Sequence, residues 1–234
     1  MNEVTLFSSS RHPNILEFVE AFQYKMTIWI VTEVLGCSLT ELIVNRPSQI
    51  PEYLIAYICR EILRGLSFFH SQHRIHRDVK SDNVLLGLDG KVKLADLGFA
   101  VQLLKEKDQR STVVGTPSWM APELAMGLKY NVSVDIWSLG IVALEMGDGE
   151  PPLLGKDPLK IISMIVSKPA PTLKNKKKWS PEFNRFIEKC LNKESSERPT
   201  ADQLLSDPFI INIPDDAQIQ FSIYLYNWTN SKLI

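Results

Sequence analysis

The stretch VDIWSLGIVALEM, from Val134 to Met146, most strongly limits what this chain can fold into. Its apolar residues cover almost the whole circumference of a helix, a pattern that indicates a helix buried on every side. Such a helix needs other elements around it, so the chain must build a substantial core. With 234 residues, 44% of them hydrophobic, it is long and apolar enough to do so. A disordered tail is excluded.

Periodic patterns elsewhere predict the elements that surround this helix. Leu54, Ile58 and Ile62 recur at a four-residue spacing, which predicts an amphipathic helix from Pro51 to about His70. Further helices are predicted at 158–166, 181–191 and 201–205, and β-hairpins at 15–35 and 84–94. The residues beyond Phe209 show no strong periodicity. Together these patterns predict an α+β protein.

Composition and charge narrow the range of partners. The 26 basic and 27 acidic residues give a net charge of -1, which provides no overall field to attract nucleic acid or an anionic membrane. The run KNKKK, from Lys174 to Lys178, is interpreted as a solvated loop in preference to a binding patch. No signal peptide is visible, and no apolar run reaches the ~20 residues that span a bilayer. Three widely spaced cysteines frame no disulfide set, so a cytoplasmic protein is expected.

Three polar segments carry candidate chemistry: IHRDVKSDNVLL (75–86), ADLGFA (95–100) and GTPSWMAPE (115–123). Phosphoryl transfer needs a carboxylate that accepts a hydroxyl proton, oxygen ligands for magnesium, and a cation that holds the moving phosphate. The residues that supply these groups are Asp78, Asn83, Asp96 and Lys80. A lone Asp five residues before an Asn would more often be turn chemistry. The inference therefore depends on the three segments together.

These segments, with RSTVVGTPSWMAPE and the helix at 134–146, resemble the protein kinases of the sterile-20 group, and most closely the PAK-like kinases. The resemblance implies a serine/threonine protein kinase that uses ATP and Mg²⁺ and acts on proteins. It makes Asp78 the catalytic base and Lys80 the cation that contacts phosphate. It makes Asn83 and Asp96 the magnesium ligands. Thr116 lies in the loop that receives the residue after the target and, with Lys80, implies serine/threonine specificity.

The same resemblance implies where ATP would bind. Glu33 and Leu35 belong to the hinge, whose backbone would hydrogen-bond the adenine. Leu85 would form the floor beneath the base, and Lys80 and Asp96 would complete the contacts on the phosphate side. Gly98 is expected to let the backbone turn sharply, so that the Asp96 carboxylate faces the loop before the hairpin.

Regulatory and structural roles also follow from the resemblance. Arg77 precedes Asp78, as in kinases switched on by activation-loop phosphorylation, and Thr112 occupies the phosphorylated position. The alternative is that Thr112 is an ordinary loop hydroxyl. The residues given structural roles are Glu123 and Arg198, which are expected to form a buried ion pair, and Asp135, which is expected to hold the backbone of the catalytic loop.

Two acidic residues, Asp82 and Glu145, match positions at which related kinases bind a basic residue before the target. A preference for arginine or lysine in the substrate is therefore expected. The resemblance also suggests an upstream kinase or a small GTPase as a partner, the latter through a segment that this sequence does not contain.

The sequence departs from the family at its start. It contains no GxGxxG loop and no lysine before Lys25, and Glu3, at the position of the helix glutamate, lacks the strand lysine with which it would pair. The expectation is a bilobal kinase-like fold. Residues 1–35 would form a remnant of the N-lobe and the hinge, with the end of the αC helix and one hairpin. Residues 36–209 would form a complete, mostly helical C-lobe, and residues 210–234 a tail. A truncated kinase with weak or no activity by itself is favoured. The alternative is a catalytically inactive binding or regulatory module.

Overall fold

The computed structural model describes residues 3–45, 49–103 and 109–231, apart from the side chain of Glu3. The helices are α1 (Glu3–Ser8), α2 (Leu39–Val44), α3 (Glu52–Ser71), α4 (Pro122–Ala125), α5 (Ser133–Asp148), α6 (Pro158–Ser167), α7 (Pro181–Cys190), α8 (Ala201–Leu205), α9 (Pro208–Ile211) and α10 (Ala217–Ser231). The strands are β1 (Phe18–Tyr24), β2 (Thr27–Thr32), β3 (Cys37–Ser38), β4 (Arg74–Ile75), β5 (Val84–Leu86), β6 (Val92–Leu94) and β7 (Val101–Gln102). They pair as β1–β2, β3–β5–β6 and β4–β7, all antiparallel. The predicted α+β class is confirmed.

The N-terminal hairpin joins β1 and β2 through a turn in which Lys25 has a φ of 54°. Phe18 and Ile30 pack against the hydrophobic core. Phe22 and Trp29, which are partners across the two strands, stack on each other with ring centroids 6.4 Å apart and remain exposed. The hairpin therefore has one face on the core and one apolar face open to solvent.

Helix α5 lies at the centre of the larger, C-terminal part. Every residue from Val134 to Gly147 is buried, as its sequence predicts. Gly140 allows α7 to approach, because a Cβ at this position would lie 2.7 Å from the Cβ of Cys190. Helix α3 also packs against α5. The buried helix is thus enclosed by the helices that the periodic patterns predict.

A buried ion pair joins two distant parts of the chain. The Arg198 guanidinium donates two hydrogen bonds to the Glu123 carboxylate, at 2.6 and 2.8 Å. Its Cζ lies 5.1 Å from the centre of the Trp137 ring, and its Nε donates to the carbonyl of Asn192 at 2.7 Å. Removing only one partner of such a pair would leave an uncompensated buried charge. The pair holds α4 against α5 and the segment before α8.

The turn between β5 and β6 is bound to α3. Gly90 has a φ of 83°, which glycine adopts without steric cost, and its carbonyl accepts a hydrogen bond of 2.9 Å from the Tyr57 hydroxyl. This is the tight turn that the Asp89-Gly90 pair predicts.

Helix α10 was not predicted from the sequence. Its buried residues, Ala217, Phe221, Leu225 and Trp228, follow a three- to four-residue spacing. The opposite face exposes Ile219, Ile223 and Tyr226, so the contrast between apolar and polar faces on which a periodicity search depends is small. No helix in the described ranges, α10 included, is long and apolar enough to cross a membrane.

The position of α10 is set by contacts with α3 and with the β5–β6 turn. The rings of Phe221 and Tyr57 have centroids 5.6 Å apart. Ser222 donates to the carbonyl of Leu88 at 2.6 Å, and Gln218 donates to the carbonyl of Asp89 at 3.2 Å. Residues 217–231 therefore cover apolar surface of the C-terminal part.

The lysine-rich run at 174–178 is solvent-exposed. Lys174 pairs with Glu150 at 2.6 Å, and Lys176 pairs with Glu188 at 3.1 Å. Exposed pairs of this kind contribute little stability. These contacts agree with a solvated surface segment.

Replacing Phe221 tests whether α10 is part of the core. Phe221 is 0% exposed, so Phe221→Ala should lower the free energy of unfolding by about 3–5 kcal/mol. Ile223→Ala on the exposed face of the same helix should change it by less than about 0.5 kcal/mol. Urea denaturation measures both values. Equal effects of the two substitutions would contradict this packing of α10.

Candidate active site

The loop between β4 and β5 carries three of the predicted chemical groups, and α5 holds its backbone. The Asp135 carboxylate accepts the N–H of His76 at 2.9 Å and the N–H of Arg77 at 2.8 Å. Arg77 has a φ of 68°, a conformation that is unfavourable for a residue with a Cβ. Hydrogen bonds to a buried carboxylate stabilise this conformation just before Asp78.

The charge state of Asp135 follows from its surroundings. Burial alone would raise its pKa, but the hydrogen bonds from the His70 ring, at 2.8 Å, and from the backbone N–H of His76 hold the pKa below its usual value. Burial lowers the pKa of His76. A neutral His76 can donate from Nε2 to the carbonyl of Ala95, at 3.1 Å, and accept the Asp78 N–H at Nδ1, at 3.3 Å. The loop is therefore held by an ionised Asp135 and a neutral His76.

Asp78 is buried, and both of its carboxylate oxygens are engaged. Oδ1 accepts hydrogen bonds from the Thr116 N–H, at 2.9 Å, and from the Thr116 hydroxyl, at 2.7 Å. Oδ2 lies 3.1 Å from Lys80 Nζ and accepts a bond of 3.0 Å from Asn83 Nδ2. The sequence-predicted residues Asp78, Lys80, Asn83 and Thr116 are thus brought together.

The Thr116 hydroxyl lies between a carboxylate and an ammonium group. It donates to Asp78 and accepts a hydrogen bond of 2.9 Å from Lys80 Nζ. Gly115 makes this close approach possible, because a Cβ there would lie 2.5 Å from the carbonyl oxygen of Arg77. A hydroxyl held in this way has a base beside its proton and a cation beside its oxygen.

Asn83 and Asp96 offer the oxygen donors that a magnesium ion prefers. Asn83 uses its amide nitrogen to bind Asp78, which leaves its side-chain oxygen as the possible ligand. The Ala95 N–H donates to the carbonyl of Asn83 at 2.8 Å, so Asp96 follows directly after this contact. The Asp96 carboxylate is exposed. This donor set fits Mg²⁺, which takes one or two carboxylates and fills its other positions with phosphate oxygens and water.

The expected turn at Gly98 is present, and the Ala100 N–H donates to the carbonyl of Leu97 at 3.0 Å across it. The positive φ, 59°, lies at Asp96, whereas Gly98 is not among the residues with positive φ. The Gly98 N–H instead donates to Asp96 Oδ1 at 3.1 Å. Asp tolerates the left-handed region better than most residues because its short side chain bonds to the local backbone. Here the carboxylate does so.

The hinge residues lie beside the strand that carries Leu85. The Glu33 side chain pairs with Lys93 and accepts the N–H of Glu17 at 2.7 Å. Leu35 and Leu85 are half-buried and pack against the hydrophobic core. The Gly36 N–H donates to the carbonyl of Leu86 at 2.9 Å, which aligns the hinge with β5.

Arg77 and Thr112 are joined through Tyr130. Arg77 donates to the Tyr130 hydroxyl at 3.2 Å, and this hydroxyl donates to the carbonyl of Thr112 at 2.8 Å. Arg77 Nε also donates to the carbonyl of Phe99 at 2.6 Å. The Thr112 side chain is exposed. A phosphate on Thr112 would therefore lie in the segment that Arg77 already contacts through Tyr130.

Asp82 and Glu145 differ in accessibility. Asp82 is exposed, whereas Glu145 is only 3% exposed. Glu145 accepts hydrogen bonds from the Ser81 hydroxyl, at 2.6 Å, and from Trp119 Nε1, at 3.1 Å. Of these two residues, Asp82 presents its carboxylate to solvent and Glu145 does not. Glu145 instead connects the loop between β4 and β5 to the segment at 115–123.

Helix α1 begins at Glu3, whose side chain lies outside the described part of the chain. The expectation that Glu3 lacks its lysine partner therefore falls outside the described residues. Phe7, further along α1, is buried and contacts the Phe18 ring edge-on, with centroids 5.7 Å apart.

Several contacts that support the site were not predicted from the sequence. They are made by His70, Ser81, Trp119 and Tyr130. Ser81 and Trp119 lie inside the segments 75–86 and 115–123, so their place in the sequence could have predicted that they lie near the site. His70 ends a helix and Tyr130 lies between motifs, and nothing in the local pattern distinguishes either.

The pKa of Glu145 provides a test of this network. Burial raises it from 4.5 to about 7, and the negative charge of Asp82 adds to the rise. The folded state then binds a proton that the unfolded state releases. The resulting stabilisation is complete below pH 4.5 and is lost as the pH rises to about 7.

Glu145→Gln should remove this pH dependence. Relative to the native chain, the variant should gain up to about 3 kcal/mol of unfolding free energy between pH 5 and pH 8. Urea denaturation at the two pH values measures the change. Glu20→Gln, at an exposed position on β1, is the control and should change little. A native-minus-variant difference that stays constant with pH would contradict a raised pKa at Glu145.

Known proteins resemble this chain over most of its length. The protein kinase domain family matches residues 1–210. Serine/threonine-protein kinase pakB of Dictyostelium discoideum is 48% identical over 90% of this chain and 25% of its own length. Serine/threonine-protein kinase pakA of the same organism is 42% identical over 100% of this chain and 20% of its own length. Serine/threonine-protein kinase STE20 of Candida glabrata is 43% identical over 92% of this chain and 24% of its own length.

The chain thus spans about a quarter of the length of these relatives. The family match covers nearly all of the elements described above, from α1 to α9. It also includes every residue that contacts Asp78. The chain therefore belongs to the protein kinase family, and its relatives there are serine/threonine kinases of the PAK and STE20 type.

Proposed function

We propose that this chain is a PAK-like kinase, which transfers the γ-phosphate of ATP to serine or threonine hydroxyls of proteins and has weak or no activity by itself. The observation that carries the proposal is the set of contacts around Asp78. The buried carboxylate of Asp78 lies within hydrogen-bonding distance of the Lys80 ammonium group and of the Asn83 amide, whose oxygen can face a metal ion. Phosphoryl transfer needs a base, a cation and a metal ligand close together.

In this proposal Asp78 orients the substrate hydroxyl and accepts its proton. Lys80 contacts the transferred phosphate, and its positive charge stabilises the negative charge on the phosphate oxygens as the bond to the leaving oxygen breaks. Thr116 holds both residues through its hydroxyl, so it sets the distance between base and cation. Asn83 keeps Asp78 oriented through Nδ2.

ATP and Mg²⁺ would be held by separate parts of the chain. The backbone of Glu33 and Leu35 offers hydrogen bonds to the adenine, and Leu85 lies beneath the base. Asn83 and Asp96 supply oxygen ligands to the metal ion, which when bound neutralises charge on the phosphates. Asp96 is exposed, so its carboxylate is accessible from solvent.

Thr112 and Arg77 are proposed as the regulatory pair. Phosphorylation of Thr112 would add up to about two negative charges near Arg77, which would strengthen the connection that Tyr130 makes now. The phosphate would come from an upstream kinase, and a small GTPase could act through a segment outside this sequence.

Protein phosphorylated on Thr112 should transfer phosphate to a peptide substrate faster than unphosphorylated protein. Equal rates of transfer would remove Thr112 as the switch. A cytoplasmic location is part of the same proposal.

A binding or regulatory module is the second candidate, and the N-terminal hairpin is what favours it. Val19, Ile28 and Trp29 are 59%, 60% and 53% exposed, and Phe22 stacks on Trp29 beside them. Exposed apolar patches of this kind often mark sites of protein contact. The sequence also contains no glycine-rich loop or early lysine to position ATP.

The catalytic proposal is tested by phosphate transfer from Mg·ATP to a basic serine peptide. Asp78→Asn should lower the initial rate by about 100- to 10,000-fold, because the base is lost. Asp96→Asn should also abolish most of the rate, because one metal ligand is lost. Transfer of radiolabelled phosphate measures all three proteins.

Asp215→Asn serves as the control in this assay, since Asp215 is exposed and lies far along the chain from the motifs. It should leave the rate unchanged. If the native chain transfers no phosphate by itself, and none when it is joined to a kinase N-terminal segment that carries a glycine-rich loop and the strand lysine, the kinase proposal fails and the binding module becomes the better account.

Substrate preference is a separate proposal that depends on Asp82 and Glu145. Asp82 is exposed, so a basic side chain before the target could pair with it directly, whereas Glu145 would act only after its bonds to Ser81 and Trp119 rearrange. Asp82→Asn should lower the ratio of kcat/KM for an arginine peptide over its alanine counterpart by about two- to five-fold, which is typical of an exposed pair.

Asp89→Asn, in the exposed β5–β6 turn, is the matched control and should leave the ratio unchanged. A native enzyme that shows no preference for basic peptides would remove both Asp82 and Glu145 from substrate recognition.

A further inference from the structure

A cavity of about 250 Å³ lies between α5, α6 and the segment that contains Ser118. Its lining residues on the two helices are Trp137, Ile141, Met164 and Ile165. None of the proposed catalytic, ATP-binding or metal-binding residues lines it. The cavity is therefore distinct from the site around Asp78.

Trp137 lines this cavity and has an unused hydrogen-bond donor. The residue is 2% exposed, and in the described part of the chain its indole Nε1 is buried without a hydrogen-bond partner. The Arg198 guanidinium lies 5.1 Å from the centre of the ring. Buried polar groups normally have partners, so an unsatisfied donor in a cavity wall points to a missing acceptor.

The other lining groups indicate the chemistry of that acceptor. Most of the lining is apolar, and it includes Leu153, which has an unfavourable φ of 68°. The polar groups besides Trp137 are the Ser118 hydroxyl and the Lys168 ammonium, and none of the described lining residues is acidic. Two neutral donors and one cation around apolar walls suit an apolar molecule that carries a carboxylate.

We propose that this cavity binds a small aromatic carboxylate, with the ring between α5 and α6 and the carboxylate accepting a hydrogen bond from Trp137 Nε1. The volume is slightly below the roughly 300–1,000 Å³ of typical ligand sites, which suits a molecule of the size of phenylacetate.

Occupancy of the cavity would affect the segment at 115–123. Ser118 lines the cavity, and Thr116, two residues earlier, contacts both Asp78 and Lys80. A bound ligand would therefore restrict the backbone that positions Thr116. The binding proposal itself does not depend on phosphoryl transfer, so it can be tested in the absence of ATP.

Titration of the ¹⁵N-labelled chain with phenylacetate, followed through the indole N–H signals, tests the proposal. The Trp137 signal, identified by its absence in Trp137→Phe, should shift in a saturable manner, while those of Trp29 and Trp228 should not move. Phenylacetamide, which keeps the ring and an acceptor but lacks the charge, should bind at least three-fold more weakly. Phenethylamine, which has the opposite charge, should not bind.

Variants connect the signal to the cavity. Ser118→Ala should weaken phenylacetate binding by about three- to ten-fold, as expected for one lost hydrogen bond. Ile165→Trp should fill the cavity and abolish binding while the other indole signals keep their native positions. The proposal fails if phenylacetate leaves the Trp137 signal unmoved, if the amide or the amine binds as tightly as the acid, or if Ile165→Trp still binds.

Discussion

The Asp135 carboxylate is the group on which the geometry of the site depends. It lies on α5, whose residues from Val134 to Gly147 are all buried, and accepts the backbone N–H groups of His76 and Arg77. Arg77 has an unfavourable backbone conformation, so without this acceptor the residues that follow would relax to another path. The position of Asp78 is thus an indirect consequence of the all-round apolar character of α5.

A second carboxylate on α5, that of Glu145, binds a later part of the same loop. Glu145 binds Ser81, next to Lys80, and Trp119, three residues after Thr116. Asp135 and Glu145 therefore hold the beginning of the catalytic loop, its middle and the segment at 115–123 from one rigid element. The close contacts among Asp78, Lys80 and Thr116 arise because both of their chain segments are bound to α5.

Most of the fold could be predicted from the sequence because the hydrophobic patterns of α3, α5 and the β5–β6 hairpin are strong. Helix α10 could not be predicted, because Ile219, Ile223 and Tyr226 on its exposed face reduce the contrast with its apolar buried face. Within the site, the residue types and spacing of Asp78, Asn83 and Asp96 were enough to predict a general base and two magnesium ligands. The burial of Glu145 and the positive φ of Asp96 depend on tertiary packing, which no local pattern encodes.

The phenol of Tyr130 has a further consequence. Because the same hydroxyl accepts from Arg77 and donates to the carbonyl of Thr112, a displacement of the segment that carries Thr112 removes one of the two bonds that fix this hydroxyl. The position of that segment and the position of the Arg77 side chain are therefore coupled through one oxygen atom. Order in the outer segment would then favour one orientation of the side chain that precedes Asp78.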